Sequence, residues 1–379
     1  MEEVKLDLEK THGRIINEIL IMFTSQRLKI ITNNFKQKLG EGGYGIVYKG
    51  ELEDGLHVAV KVLRCNLSDQ IIKQQFESEV NTIRKTRHPN LVRLYGFCCD
   101  EGLKALVYEF MENGSLNKFL LNSRKKNLVG FKQLLNIAIG TAKGITYLHE
   151  DAADHIIHYD IKAANILLDK NSSPKVSDFG LAKLYRRDQT HHPTVGRRGT
   201  PGYAAPEMWL PFPVTHKCDV YSFGMLLFEI LGRRRNLDSS VSYSQEWLPS
   251  YVWKKFNEGA MDEMMAALRI DEKDEGIATK MAMVALWCIH HRPEVRPLMS
   301  SVVKMLEDRV VIDRPLDPFR PPTTPVRWDL LQNVGGNIPS ASSASSNWIT
   351  PFSRDNSYAS SASPIWITPL SREDYIFLR

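Results

Sequence analysis

The sequence predicts an α+β protein with a small, β-rich amino-terminal part and a larger helical carboxy-terminal part. Three observations support this fold class. Apolar and polar residues alternate from residue 36 to about 63, with Asp54-Gly55 as a tight-hairpin signal. Apolar residues at helical spacing follow in residues 72–83. Beyond residue 130 the pattern is mostly helical, with long apolar helices predicted at 131–150 and 215–232.

Composition agrees with a globular protein and argues against some functions. The 379 residues, 43% of them hydrophobic, can bury one large two-lobed core or two ordinary domains. The net charge of +5 is small and is not gathered into a basic block, so it gives no case for nucleic-acid binding. The five cysteines lack zinc-ligand spacing, which favours reduced thiols in a cytosolic compartment.

The amino-terminal residues give no signal for secretion or membrane insertion. The charged start lacks the apolar region of a signal peptide, and Glu2 after Met1 excludes a myristoylation signal. The apolar run of residues 15–23 is far shorter than the ~20 residues that span a bilayer. We therefore expect a cytoplasmic protein that reaches the inner face of the plasma membrane, if at all, through a partner.

A glycine-rich stretch, LGEGGYGIV, occupies residues 39–47 and contains Gly40, Gly42 and Gly45. Glycines in this G-x-G-x-x-G arrangement let backbone amides approach an anion closely. The same triplet marks dinucleotide sites, but there it opens a helix. Here it runs into IVYKGEL and a hairpin, which predicts a β-turn-β lid over phosphates.

Two charged side chains are predicted to meet beneath this lid. Alternation along HVAVKVL puts Lys61 on the face opposite to Val58 and Val60. Glu79 shares the apolar stripe of the following helix, where an unpaired carboxylate would cost several kcal/mol. Lys61 is the cation that Glu79 needs, although an ordinary surface lysine is the simpler alternative.

The stretch IIHYDIKAANILLD, residues 156–169, and the later SDFG carry the predicted chemistry. Asn165 and Asp178 supply the hard oxygen ligands that magnesium prefers. Asp160 can accept or orient a hydroxyl proton, and Lys162 can neutralise charge on a transferring phosphoryl group. Any one of these residues alone could be a cap or turn residue. Asp219, on the core face of a later helix, is expected to hold backbone donors of a neighbouring loop.

These residues, in this order and spacing, resemble the eukaryotic protein kinase pattern. The matching positions are the three glycines, Lys61, Glu79, HYD at 158–160, Asn165, DFG at 178–180, APE at 205–207, Asp219 and Arg296. The resemblance covers residues 35–312 and implies the bilobal protein kinase fold, with lobes at about 35–111 and 112–312. It implies ATP and Mg2+ as ligands and Ser or Thr of proteins as substrates.

The resemblance also implies individual roles. Lys61 would pair with Glu79 in the active state, Glu207 would form a buried ion pair with Arg296, and Lys162 and Thr200 resemble those of serine/threonine kinases. Val47, Ala59 and Leu167 would enclose adenine, and YEFM at 108–111 would be gatekeeper and hinge. The implied nucleotide site comprises Leu39, Gly40, Glu41, Gly42, Gly43, Tyr44, Gly45, Val47, Ala59, Lys61, Tyr108, Glu109, Met111 and Leu167.

Longer stretches, such as HPNLVRLYGFC and THKCDVYSFGMLLFEILGRRRN, resemble plant receptor-like kinases, especially the leaf-rust-resistance group. Such relatives carry an ectodomain and a membrane helix, and neither is seen here. The sequence leaves open a cytoplasmic kinase or a truncated product, working with membrane receptors or other signalling partners. An alternative function is a weakly active or inactive kinase-fold scaffold in a signalling complex.

Three further predictions concern regulation and the ends of the chain. Tyr159 stands where most kinases have Arg, which predicts an active enzyme that is not switched by a phosphate clamped at that position. Residues 1–34 are expected to be a juxtamembrane-like segment. Residues 313–379 are expected to be a Pro- and Ser-rich, disordered tail with two WITP repeats. Thr350 and Thr368 in these repeats are either docking or phosphorylation motifs or a duplication without function.

Overall fold

The structure is a computed structural model of the chain. It describes residues 20–42, 45–63, 69–83, 86–100, 102–121, 129–185, 199–209, 214–238, 240–241 and 247–319.

A six-stranded sheet forms the amino-terminal lobe. Its strands are β1 (Ile21–Met22), β2 (Lys38–Gly42), β3 (Gly45–Glu51), β4 (His57–Leu63), β5 (Leu94–Asp100) and β6 (Leu103–Glu109). They lie in the order β1-β5-β6-β4-β3-β2. Two helices belong to this lobe, α1 (Ser25–Ile31) and α2 (Asp69–Ile83). The predicted alternation along β4 is confirmed, because Val58 and Val60 enter one apolar cluster while Leu63 enters another.

The sequence assigned residues 1–34 to a separate segment, whereas the structure builds residues 21–31 into this lobe. Strand β1 lies parallel to β5, with Ile21 opposite Gly96. A Cβ at Gly96 would lie 2.0 Å from the Ile21 carbonyl oxygen, so the close approach of the two backbones requires glycine there. Phe23 and Leu28 are buried in one cluster with the valines of β4. The folded lobe therefore starts before the predicted boundary at residue 35.

The carboxy-terminal lobe is mainly helical. Its helices are α3 (Leu116–Leu121), α4 (Phe131–Thr146), α5 (Lys217–Gly232), α6 (Leu248–Asn257), α7 (Met261–Leu268), α8 (Glu275–Cys288) and α9 (Met299–Leu306). Helix α5 is apolar on nearly all sides and is almost completely buried, as expected for the central helix of a lobe. The predicted apolar helices at 131–150 and 215–232 are thus confirmed as α4 and α5.

Short strands carry the loops of the site. They are β7 (Gly114–Ser115), β8 (His155–Ile157), β9 (Ile166–Leu168), β10 (Pro174–Val176) and β11 (Lys183–Tyr185). Strand β9 pairs with β10 and β7, and β8 pairs with β11, all antiparallel. The β9–β10 hairpin directly follows Asn165 and ends just before Asp178, so the two predicted magnesium ligands are held at the same end of one hairpin.

The segment after α9 packs on the carboxy-terminal lobe as far as it is described. The Trp287 indole donates a hydrogen bond to the Asp313 carbonyl oxygen at 3.0 Å, and the His291 amide donates to that of Pro318 at 3.1 Å. The Trp247 and Phe319 rings lie 5.2 Å apart. The tail predicted to begin at residue 313 is therefore ordered to residue 319, and the two repeats lie outside the described residues. Within the described part, no helix is both long and apolar enough to cross a bilayer.

Candidate active site

The glycine-rich turn joins β2 to β3, and the pairs Gly42–Gly45 and Glu41–Ile46 are in register across it. The turn leads into a strand, so the structure confirms the β-turn-β arrangement and excludes a dinucleotide-type turn. A Cβ at Gly45 would lie 2.3 Å from the Val62 carbonyl oxygen of β4, which makes glycine obligatory there. Two further residues of the predicted nucleotide site, Gly43 and Tyr44, lie outside the described residues.

Residues next to this turn contact the carboxy-terminal lobe and one another. Lys118 on α3 donates a hydrogen bond to the Leu39 carbonyl oxygen at 3.4 Å. Lys38 forms an ion pair with Glu41. Glu41 therefore contributes a surface charge to the rim, and Leu39 contributes its backbone to a contact between the lobes.

Lys61 lies between two carboxylates at the back of the cleft. Its Nζ is 3.0 Å from both oxygens of Glu79 and 2.7 Å from Oδ1 of Asp178. Burial alone would lower the pKa of Lys61, but the charges of Asp178 and Glu79 outweigh it and raise that pKa. For Asp178 the directions are reversed: burial would raise its pKa, but the Lys61 ammonium holds that pKa below its ordinary value. The predicted pairing of Lys61 with Glu79 is present, with Asp178 as a third member.

Glu79 is 1% exposed, and burial raises its pKa even though Lys61 acts in the opposite direction. The Tyr108 hydroxyl donates a hydrogen bond to Glu79 Oε1, so the carboxylate receives donors from both β4 and β6. Tyr108, predicted to be a gatekeeper in the nucleotide site, thus directs its hydroxyl at helix α2. Nothing in the local sequence signals this contact, because the two residues are 29 positions apart.

The remaining residues of the predicted nucleotide site are distributed along the cleft. Ala59 and Leu167 are half-buried against the main apolar core, while Met111 is buried in it. Val47 on β3 pairs with Lys61 on β4. The Glu109 side chain is engaged elsewhere: its carboxylate lies 3.0 Å from Lys175 Nζ and accepts the Arg93 amide. If Glu109 contributes to nucleotide binding, it does so with its backbone.

Asp160 is the centre of a compact hydrogen-bonded group. Lys162 Nζ is 2.8 Å from Asp160 Oδ2 and 2.7 Å from the Thr200 hydroxyl, which donates to Asp160 Oδ1 at 2.5 Å. The Asn165 amide donates to the Asp160 carbonyl oxygen at 2.9 Å and to Oδ2 at 3.0 Å. Both bonds use Nδ2, which leaves Oδ1 of Asn165 as the atom for a cation. The structure thus brings together Asp160, Lys162 and Asn165, as predicted, and adds Thr200 as a direct partner.

Asp178 and Asn165 fit a magnesium site completed by phosphate. Asp178 uses Oδ1 for Lys61 and keeps Oδ2, so each residue offers one hard oxygen. Asp178 adopts φ 65° and ψ 70°, a left-handed conformation that costs on the order of 1–3 kcal/mol for a residue other than glycine. Such strain is typical of sites where geometry serves function.

The loop before Asp160 is held by buried side chains. Tyr159 has a φ of 65°, an outlier for a bulky residue. Asp219 is 0% exposed, and its two oxygens accept the amides of His158 at 2.8 Å and Tyr159 at 2.9 Å. Burial would raise the pKa of Asp219, but hydrogen bonds from His149 and the loop lower it. The predicted role of Asp219 is confirmed.

His158 links this loop to the segment that carries Asp178. The Asp160 amide donates to His158 Nδ1 at 3.2 Å, which assigns the proton of the neutral ring to Nε2. Nε2 can then donate to the Ser177 carbonyl oxygen at 3.0 Å, and the ring packs against Phe179 with centroids 5.0 Å apart.

Tyr159 is 2% exposed and packs with apolar side chains that include Met208 and Cys218. Its hydroxyl lies 2.9 Å from that of Tyr185, at the end of β11. Burial and the Tyr185 hydroxyl raise the pKa of Tyr159, so Tyr159 stays neutral at physiological pH. The sequence singled out Tyr159 but gave no sign of Tyr185 as its partner.

A buried ion pair joins two segments of the carboxy-terminal lobe. Arg296 is 1% exposed and binds Glu207 with two hydrogen bonds, of 2.6 and 2.9 Å. Its remaining donors bind the carbonyl oxygens of His290, Lys217 and His291 at 2.7, 2.9 and 3.3 Å. The ion pair implied by the resemblance is present.

Comparison with known proteins agrees with the site. The chain matches the family described as "Protein tyrosine and serine/threonine kinase" over residues 33–306. It is 43% identical over 312 residues to the leaf rust 10 disease-resistance locus receptor-like protein kinase-like 2.4 of Arabidopsis thaliana, which covers 81% of this chain and 49% of the relative. It is also 43% identical to the rust resistance kinase Lr10 of Triticum aestivum, covering 78% of this chain and 47% of the relative.

A third relative broadens the group. The G-type lectin S-receptor-like serine/threonine-protein kinase SD2-5 of Arabidopsis thaliana is 45% identical, covering 76% of this chain and 35% of the relative. The architecture and these matches define the class as protein kinases. The chain belongs to the protein tyrosine and serine/threonine kinase family. The resemblance to plant receptor-like kinases is confirmed, and the chain spans about half or less of the length of these relatives.

Proposed function

We propose that this chain transfers the γ-phosphoryl group of ATP to Ser and Thr hydroxyls of protein substrates. The observation that carries the proposal is the group of Asp160, Lys162 and Thr200, joined by contacts of 2.5–2.8 Å, to which Asn165 also donates. The charged residues to which we give roles contact one another, Lys61 with Glu79 and Asp178, and Asp160 with Lys162, which supports the proposal.

The nucleotide would lie under the glycine-rich turn. Backbone amides around Gly40, Gly42 and Gly45 can cradle phosphate oxygens, and Lys61, held by Glu79, can reach them as a fixed cation. Ala59, Leu167 and Val47 offer half-buried apolar surface for a flat base. Asn165 and Asp178 would hold Mg2+, which neutralises charge on the phosphates when bound.

Asp160 would receive the substrate hydroxyl. Its Oδ1 and Oδ2 accept bonds from Thr200, Lys162 and Asn165, so the carboxylate is fixed in position before a substrate arrives. Lys162 can neutralise charge on the phosphoryl group during its transfer, because its ammonium already lies beside Asp160. Positioning and charge neutralisation supply most of the acceleration in such reactions, with turnover of roughly 1–100 per second.

The test compares the wild type with Asp160→Asn. The wild type should move phosphate from ATP-Mg2+ to a protein acceptor. Asp160→Asn should lose at least about two orders of magnitude in kcat while binding ATP as the wild type does, because a positioned base contributes about 10²–10⁴-fold. Equal transfer by both proteins would refute the role of Asp160. No transfer by either would favour the kinase-fold scaffold.

Regulation follows from the residue before Asp160. The contact between the Tyr159 and Tyr185 hydroxyls joins β11 to the catalytic loop, and Tyr159 carries no charge in it. An Arg at this position would need a phosphate partner to be neutralised, whereas Tyr159 does not. This supports activity that does not depend on phosphorylation of the segment between Tyr185 and Gly199, where Thr190 and Thr194 lie outside the described residues.

The double variant Thr190→Ala/Thr194→Ala should therefore keep kcat within about twofold of the wild type. Introducing arginine by Tyr159→Arg should make activity depend on those threonines. Loss of activity in the double variant with Tyr159 intact would contradict the proposed regulation.

The cellular setting is inferred from the relatives. Their names include rust resistance and receptor-like kinases, which supports a role in plant defence or receptor-type signalling. We place the kinase domain in the cytoplasm, at the inner face of the plasma membrane when a membrane receptor recruits it. Co-purification with membranes only in the presence of such a receptor would test this location.

A further inference from the structure

Helix α2 makes a direct contact with the segment that follows Asp178. The Ser78 hydroxyl donates a hydrogen bond to the Ala182 carbonyl oxygen at 2.6 Å. Ser78 is the residue before Glu79, and Ala182 is 1% exposed. The contact joins two positions 104 residues apart, one in each lobe.

Ala182 connects the turn after Asp178 to strand β11. It ends the short turn Phe179–Leu181 that starts at Asp178, and its amide donates to the Phe179 carbonyl oxygen at 3.0 Å. The next residue, Lys183, begins β11 and pairs with Ile157 just before the catalytic loop. Ala182 therefore lies in the chain between the turn that follows Asp178 and strand β11, which pairs with the strand before His158.

We propose that Ser78 is a positioning residue, whose hydrogen bond to Ala182 holds α2 against the segment that carries Asp178 and keeps Glu79 within reach of Lys61. This inference rests on the proposed kinase function and assigns a residue that supports its active geometry. Neither Ser78 nor Ala182 takes part in the chemistry described above.

The geometry explains why Glu79 needs this support. Its contacts with Lys61 and Tyr108 all meet at the carboxylate end of one side chain, so they join α2 to β4 and β6 and leave the contact with the segment after Asp178 to other residues of the helix. Neighbouring residues of an α-helix point about 100° apart, at 3.6 residues per turn. A second attachment at Ser78 therefore adds to the packing of the buried Phe76 and Ile83 in holding the rotation of α2 and its distance from the segment after Asp178.

The effect of losing the hydroxyl depends on the position of α2. With the helix packed, Ala182 is buried, and its carbonyl oxygen would lose the side-chain donor that the described residues supply. With the helix displaced, water can reach that carbonyl. Removing the Ser78 hydroxyl thus disfavours only the packed arrangement and shifts the population away from it. We expect kcat to fall between about threefold and tenfold, the upper limit corresponding to about 1.4 kcal/mol.

The experiment uses three variants of the whole chain. Ser78→Ala removes the donor, and Ser78→Thr retains it. Thr146→Ala is the matched control, because the Thr146 hydroxyl also donates to a carbonyl oxygen, that of Ala142 at 2.9 Å, but within helix α4. For each protein we would measure kcat, KM for ATP and amide hydrogen exchange in residues 176–185 and in α2.

Ser78→Ala should lower kcat, change KM for ATP less than twofold and speed exchange in those two segments. Ser78→Thr should restore both quantities, and Thr146→Ala should change neither. A Ser78→Ala protein with kcat and exchange within twofold of the control overturns the proposal, and so does faster exchange spread evenly over both lobes. If the wild type transfers no phosphate, the proposed function fails, and exchange in residues 176–185 still decides the role of Ser78.

Discussion

Replacing Arg296 by methionine should destabilise the folded protein by about 3–5 kcal/mol. Arg296 and Glu207 are 1% and 6% exposed and share two hydrogen bonds. Methionine fills much of the same space but leaves the Glu207 carboxylate buried without its cation, which is the costly case for a buried ion pair. The His290 carbonyl oxygen loses its donor as well.

This free energy is large enough to measure by thermal unfolding. A domain of 150–250 residues loses roughly 2–4 °C in midpoint per kcal/mol, so the midpoint of Arg296→Met should fall by on the order of 10 °C. Arg292→Met is the control, because Arg292 makes a similar contact of 2.6 Å with Glu294 while their side chains are 52% and 61% exposed. That pair should be worth less than about 1 kcal/mol. Equal shifts in the two variants would refute the reasoning.

Three further predictions concern the cleft and the lobe beneath it. Tyr108→Phe removes a donor from the buried Glu79 carboxylate and should lower kcat by up to about tenfold in steady-state assays with little change in KM for ATP. Gly45→Ala should destabilise the protein by about 1–3 kcal/mol in urea unfolding, because the added Cβ would lie 2.3 Å from a backbone oxygen. Burial lowers the pKa of His290 to about 4. Between about pH 6.5 and pH 4 the unfolded chain therefore binds more protons than the folded protein, and the free energy of unfolding decreases as the pH falls. His290→Gln should make this decrease smaller.

Each of these predictions can be contradicted, and the glycine substitution has a matched control. Gly276→Ala adds a Cβ into open space within helix α8 and should leave stability unchanged or slightly raised, so an equal loss at Gly276 and Gly45 would contradict the steric argument. A Tyr108→Phe enzyme with wild-type kcat would show that the tyrosine does not support Glu79. For His290, identical slopes of the urea midpoint between pH 7 and pH 4.5 in variant and wild type would rule out its proposed titration.

Charged residues that interrupt a local helix or strand pattern could be predicted from the sequence. Glu79 was found because a carboxylate interrupts an apolar stripe, and Lys61 because strand alternation turns it toward the same space. The structure joins both to Asp178 at 2.7–3.0 Å. Asp219 was found in the same way, as an acid on the core face of a helix.

Contacts between distant, chemically ordinary residues could not be predicted. Tyr185 and Ser78 carry no local pattern, and their partners lie 26 and 104 residues away. The start of the folded lobe was misplaced for a related reason. Ile21 and Met22 form too short a strand to show alternation, and only Gly96 on the partner strand makes room for them.

The most direct test of the account is the rate of phosphoryl transfer from ATP-Mg2+ to a peptide mixture with equal amounts of Ser, Thr and Tyr acceptors. The resemblance of Lys162 and Thr200 to those of serine/threonine kinases predicts transfer to Ser and Thr and little to Tyr. The contacts that fix the Asp160 carboxylate predict a rate reduced at least about 10²-fold in Asp160→Asn. Transfer mainly to Tyr, or a rate that is the same in Asp160→Asn and the wild type, would contradict it.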